Sequence, residues 1–126
     1  MSKVSSYKDL IVYQKAYKLA MEIFEISKVF PKEEKYSLTD QIRRSSRSVT
    51  SNIAEAWAKK RYIKSFVNKL TDSLGEEYET EAWLDFSRDS KYITELTHSE
   101  ILNGYDEVRK MLIAMINNSD QWCQSK

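Results

Sequence analysis

The stretch 38–60, LTDQIRRSSRSVTSNIAEAWAKK, decides the fold. At about 100° per residue, Leu38, Ile42, Ser45, Ser46, Val49, Asn52, Ile53 and Ala56 share one face, the mark of an α-helix. That face is only half apolar. Ser45, Ser46 and Asn52 stand where a core helix carries Leu or Ile. Small residues there let a neighbouring helix come close, and each polar group so buried requires a hydrogen-bond partner. The opposite face carries Arg43, Arg44 and Arg47, with Ser51 beside them. Arg47 neighbours both other arginines by the i,i+4 and i,i+3 rules, so three positive charges crowd together.

On the N-terminal side, a helix over about 9–29 is expected, with Asp9 as its cap and residues 1–6 loose. Its main stripe is Leu10, Tyr13, Ala16, Tyr17, Ala20, Ile23, Phe24 and Phe30. A second row, Val12, Leu19 and Ile26, recurs every seventh residue beside it. Together they are wider than the stripe a surface helix needs, and this row is assigned to contact with another subunit. Pro31 ends the helix, because it disfavours helical geometry at Phe30 and lacks an N–H. Ser37, with Asp40 three residues on, is expected to cap the helix over 38–58.

On the C-terminal side, AKKRY at 58–62 separates the second helix from a third over 63–88. The third reads Ile63, Phe66, Val67, Leu70, Leu74, Tyr78, Ala82 and Phe86, with steps of four after Leu74, so its stripe drifts. Gly75 stands where the drift begins, which points to close packing or a local distortion. Glu76, Glu79 and Trp83 line up on the flank, a second candidate for the oligomer interface. The fourth helix, over 98–117, is assigned a Thr97–Glu100 capping box and a Leu96–Ile101 staple. Its stripe is Ile101, Tyr105, Val108, Leu112 and Met115, and a polar tail follows, in which Trp122 can dock. Short connections make consecutive helices antiparallel, so the predicted fold is all-α, an up-down four-helix bundle in a single domain.

Composition narrows the function. The chain has 126 residues, a net charge of +1, 31% charged residues, two Gly, one Pro and one Cys. The balanced charge gives no global attraction to nucleic acid or membrane, so any basic function must be local. Cys123 alone excludes an internal disulfide and a cysteine zinc site, and a reducing cytoplasm is the natural setting. No apolar run approaches the roughly 20 residues that span a bilayer. His98 reads as an exposed first-turn residue, Cys123 has no base, and no phosphate loop is present. Glu76, Glu77, Glu79 and Glu81 share one helix, but a di-iron bundle also needs Glu-x-x-His pairs elsewhere. No enzyme, metal or cofactor is therefore expected.

The cluster Arg43, Arg44 and Arg47 has three readings: a solvated face, partners for Glu76 and Glu79, or a phosphate surface. Arginine suits carboxylate and phosphate alike. Lys59, Lys60, Arg61 and Lys64 form a second basic patch, beside Trp57 and Tyr62, which could stack on bases or simply pack.

The segment LTDQIRRSSRSVTSNIAEA resembles the signature of a bacterial family of four-helix-bundle proteins encoded in intervening sequences of 23S ribosomal RNA genes. That family is loosely related to the accessory variability determinants of diversity-generating retroelements. YKDLIVYQKAYKLAMEIFEISKVFPKEEKYSL is similar to its opening helix and first turn, and EEYETEAWLDFSRDSKYI to its third helix. The family usually carries Gly at the positions of Ala56, Ala58 and Lys91. The resemblance implies a ring-like homo-oligomer, a pentamer, linked to structured RNA or retroelement nucleoprotein, so RNA or DNA is a candidate partner. A module that binds only protein partners stays open beside it.

Overall fold

A computed structural model describes residues 4–123. Four long helices carry the chain: α1 (Ile11–Ser27), α2 (Leu38–Ala58), α3 (Ile63–Asp89) and α4 (Glu95–Asn117), followed by one turn of helix, α5 (Ser119–Trp122). Each long helix packs on two others, α1 and α3 both lying against α2 and α4, while the diagonal pairs do not meet. This is the antiparallel up-down bundle.

Each helix gives the core a seam with alternating steps of three and four, the spacing that keeps one edge toward its partners. In α2 the seam is Leu38, Ile42, Ser45, Val49, Asn52 and Ala56; in α4 it is His98, Ile101, Tyr105, Val108, Leu112 and Met115. In α1 it is Val12, Ala16, Leu19 and Ile23. Val12 and Leu19 are thus buried inside their own chain, and Ile26 is partly buried against the same core. The row expected between subunits is consumed within one, and Tyr17, placed in the core from sequence, is 54% exposed instead. The seam of α3 is Phe66, Leu70, Ser73, Glu77, Thr80, Leu84 and Ser87. It never drifts; its residues turn polar. Tyr78 and Phe86, expected inside, are exposed.

The α2–α3 contact is close because both seams are small at mid-length. Ser45 and Ser73 are fully buried; Ser73 Oγ donates to the Val49 carbonyl at 2.8 Å, and the Ser45 and Thr80 hydroxyls share a hydrogen bond of 2.8 Å. Asn52 is buried as expected, its amide donating to the Ser48 carbonyl at 2.9 Å. Gly75 explains none of this closeness: a Cβ there would meet nothing within 4 Å, and α3 runs through it unbroken. The glycine that matters inside the chain is Gly104, where a Cβ would fall 2.6 Å from Leu19 Cδ2. It lets α4 approach α1.

The helix ends differ from the expected caps. Asp9 closes a 3-10 turn (Tyr7–Asp9), accepting from the Ser5 and Ser6 N–H groups at 2.9 and 3.1 Å, so Ser5 and Ser6 are tied down. Residues 1–3 of the segment expected to be loose, and 124–126 of the polar tail, lie outside the described residues. Ser37 makes no cap hydrogen bond; its hydroxyl donates to Glu34 at 2.7 Å, and Glu34 accepts the first N–H of α2 at 3.3 Å. At α4 the cap is Thr94, which accepts from the Thr97 N–H at 3.0 Å. The Thr97 box fails because the helix begins three residues earlier, and Leu96 is exposed. Pro31 and the 59–62 turn break the chain where the sequence placed them.

Lys91 has φ 65°, the left-handed region. Its N–H donates to Arg88 O and that of Tyr92 to Ser87 O, both at 2.9 Å, the paired bonds of a Schellman turn. A lysine there carries a steric penalty that glycine escapes. Lys91→Gly is expected to stabilise the protein by about 1 kcal/mol and raise the melting temperature by about 3–5 °C, read by thermal denaturation.

Candidate functional site

The arginines of α2 separate. Arg44 turns toward α3, where it pairs with Glu76 at 3.3 Å and with Glu79, while Trp83 Nε1 donates to Glu79 at 3.1 Å. The flank Glu76, Glu79 and Trp83 is therefore engaged within the chain. Arg43 and Arg47 turn toward α1. Both guanidinium groups lie over the Phe24 ring, 4.8 and 5.6 Å from its centre, and Arg43 Nε donates to Ser27 Oγ at 2.7 Å. Among the described residues neither has a carboxylate partner. Stacking on an aromatic face holds a guanidinium in place and leaves its edge donors free.

All three arginines, Arg44 included, line a groove of about 650 Å³ with Lys35, Tyr36, Asp40, Ser48 and Ser51. Tyr36 is 85% exposed and stacks with Lys35 at 5.3 Å. A second groove, of about 390 Å³, lies beside it between α1 and α2. The two share Arg47 and Ser51, and the second is walled by Tyr7, Tyr13, Tyr17 and Met21. The tyrosines form a chain, Tyr7 to Tyr13 at 4.9 Å and Tyr13 to Tyr17 at 6.1 Å.

The second basic patch is not brought to this groove. Lys59 lies twelve residues beyond Arg47, about 18 Å along the helix. Lys59, Arg61 and Lys64 are exposed. Trp57 is partly buried against the core, with Lys60 over its ring at 3.3 Å; Tyr62 is 63% exposed.

Two groups belie their reading from sequence. His98 is buried, not exposed: Nε2 lies 2.8 Å from Asp85 Oδ1, which joins the start of α4 to α3. Glu77, counted among surface carboxylates, is fully buried, and neither of its oxygens has a hydrogen-bond partner. Burial first, and the Glu81 carboxylate second, push its carboxyl up to about 9, so it is neutral at pH 7. Arg109 works the other way, but it is engaged by Glu81 at 2.8 Å and by Asp106. The Tyr105 hydroxyl is buried and unpaired too, raised by burial and then by the charges of Glu77 and Glu22. Cys123 is raised by burial first, with Lys60 nearby acting the other way. Among the described residues no group of His, Cys, Asp and Glu could hold a metal ion. No helix there is long and apolar enough to cross a membrane.

The model of the 23S rRNA-intervening sequence protein family matches residues 8–114. The chain belongs to that family. A solved structure of a protein of unknown function from the S23 ribosomal protein family of Bacteroides thetaiotaomicron is 34% identical to it. It superposes with a TM-score of 0.77 over 85% of this chain and 96% of that one. No curated protein matches the chain.

In this 23S rRNA-intervening sequence protein the buried carboxyl is legible only by position. Glu77 continues the three-four spacing of Phe66, Leu70 and Ser73, and its charge hides it from a reading of hydrophobic residues. Between pH 4.5 and about 9 the folded chain keeps a proton on Glu77 that the unfolded chain has released. The contribution of Glu77 to stability therefore falls as pH rises through that window and levels above it. Glu77→Gln is expected to melt higher than wild type by a margin that grows with pH across the window and vanishes at its acid end. A constant margin would contradict a buried neutral carboxyl.

Proposed function

We propose that the protein is a non-enzymatic, self-associating adaptor of the cytoplasm that holds nucleic-acid phosphates on the Arg43–Arg47 edge of α2. The observation that carries this reading is the pair itself: two arginines stacked on Phe24, in an ion pair with no carboxylate among the described residues, beside Lys35. A net charge of +1 supplies no general attraction, so a local surface must. The family's tie to intervening sequences of ribosomal RNA favours RNA as the polyanion. Lys59, Arg61 and Lys64 extend the field toward the far end of the bundle.

Self-association is assigned to the outer face of α3, with a pentamer as the count the family likeness suggests. Gly75, Tyr78, Ala82 and Phe86 form an exposed row there, Tyr78 and Phe86 being 52% and 58% exposed. The open space over Gly75 leaves room for a partner helix. A second reading, a module for protein contacts alone, is favoured by Arg44, whose charge is spent on Glu76 and Glu79.

Substitution separates the two. Arg43→Gln with Arg47→Gln should weaken binding of structured RNA and leave melting and sedimentation nearly unchanged. Removal of one phosphate-binding arginine should lower the slope of log affinity against log salt by about 0.7–0.9. Arg44→Gln should instead disturb the α2–α3 flank, lowering the melting temperature with little effect on RNA. Filter binding at two salt concentrations reads the first, and wild type with no salt-sensitive binding would leave only the protein-contact module. Phe86→Glu should shift sedimentation to a smaller species without loss of helix; an unchanged profile removes α3 as the association face.

A further inference from the structure

We infer that the nucleic acid this protein takes is single-stranded, held with its phosphates on Arg43 and Arg47 and its bases against Tyr17 and Tyr36. The inference rests on the nucleic-acid reading above and adds the strand type and the base-contacting residues.

It stands on the adjacency of the two grooves. Both are lined by Arg47 and Ser51, so Tyr36, Lys35, Arg43 and Arg47 lie on one side of these residues and the tyrosine wall of α1 on the other. Along α2 the two arginines lie one helical turn apart, about 6 Å, within reach of neighbouring phosphates of an extended strand. The α2 side of the second groove beyond Arg47 is small, with Thr50, Ser51 and Ala54, so the backbone of a strand can lie close. The opposite wall is aromatic. Tyr17 on that wall is 54% exposed, and Tyr36, in the first groove, is 85% exposed.

Charge and rings together favour one occupant. A duplex offers phosphates to arginines, but its bases are stacked on each other and show no face to a tyrosine. A single strand offers both, and base–aromatic stacking with a basic track is how such strands are held without sequence readout. A proline-rich peptide would use the tyrosines and leave the arginines unanswered. Asp40, the one carboxylate lining the two grooves, disfavours an acidic peptide and costs a strand little, because its phosphates can pass along the arginine side.

The test compares three probes on the full chain by competition binding: a short oligoadenylate, an abasic strand of equal length, and a hairpin duplex. Oligoadenylate should bind at least roughly tenfold more tightly than the abasic strand, the effect of stacking one or more bases. Tyr17→Ala and Tyr36→Ala should each weaken oligoadenylate by about tenfold, leave the abasic strand unaffected, and leave the salt slope as in wild type. Tyr17→Phe and Tyr36→Phe should retain wild-type binding, which excludes a folding defect at the position. Equal binding of abasic and base-bearing strands, tighter binding of the hairpin, or tyrosine variants that bind as wild type would overturn the inference. If any of these appears while Arg43→Gln with Arg47→Gln still flattens the salt slope, the phosphate surface stands and only the strand assignment falls. If none of the three probes binds, both fall.

Discussion

The bundle depends on how closely α2 and α3 can lie. Ser45 and Ser73 have no bulk to hold the helices apart, and their hydroxyls spend their hydrogen bonds across the contact. Had both seams carried Leu throughout, the helices would separate to the width of two large side chains, and Arg44 would lose its reach to Glu76 and Glu79. The small seam therefore sets the outer surface as well as the inner one. It anchors one arginine on α3 and leaves its two neighbours to α1. Polar pairs inside a seam also fix register. Sliding α3 by half a heptad would place Glu77 where Thr80 or Ser73 now satisfies a partner, and a carboxyl tolerates that exchange badly.

Glu77 and Tyr105 are the exception to this matching. Two polar groups, deep among apolar side chains and without partners, lower stability relative to an apolar pair of the same size. Proteins retain such groups where something other than stability selects them; a protonated carboxyl and a phenol can each donate and accept, and neither capacity is used here. The nearest charges, Glu81, Arg109 and Asp106, answer one another on the outside.

How far the sequence can be read follows from one rule: periodicity is trustworthy, and chemistry misleads where it opposes periodicity. In α2 phase alone places the small polar residues on the inner face, and Ser45, Ser46 and Asn52 are buried there. In α3 the true phase runs through Glu77 and Thr80, which look like surface residues, so Tyr78 and Phe86 draw the expected stripe aside after Leu74. In α1 the seam of Val12 and Leu19 is masked by a richer aromatic stripe, so half the core reads as a face for a second subunit. His98 escapes because its partner, Asp85, lies thirteen residues away across a turn. The Arg44 pairing with Glu76 and Glu79 is legible from reach and charge. The groove is not, since it needs Phe24, Tyr17 and Tyr36, from separate parts of the chain, to converge on one edge of α2.

Glu34 carries a consequence for how the molecule gives way. Its carboxylate takes hydrogen bonds from Ser37, from the first N–H of α2 and from Tyr92 at 2.9 Å, and Phe30 packs on the Tyr92 ring at 5.3 Å. The loop joining α1 to α2 and the loop joining α3 to α4 are thus riveted to each other at one pole. At the other pole the turn at 59–62, the 3-10 turn and α5 meet, among the described residues, with no such rivet. The barrel has a hard end and a soft end. Thermal breathing is expected to enter from the soft one, and Tyr36 stands on the hard one, next to Ser37 and its bond to Glu34.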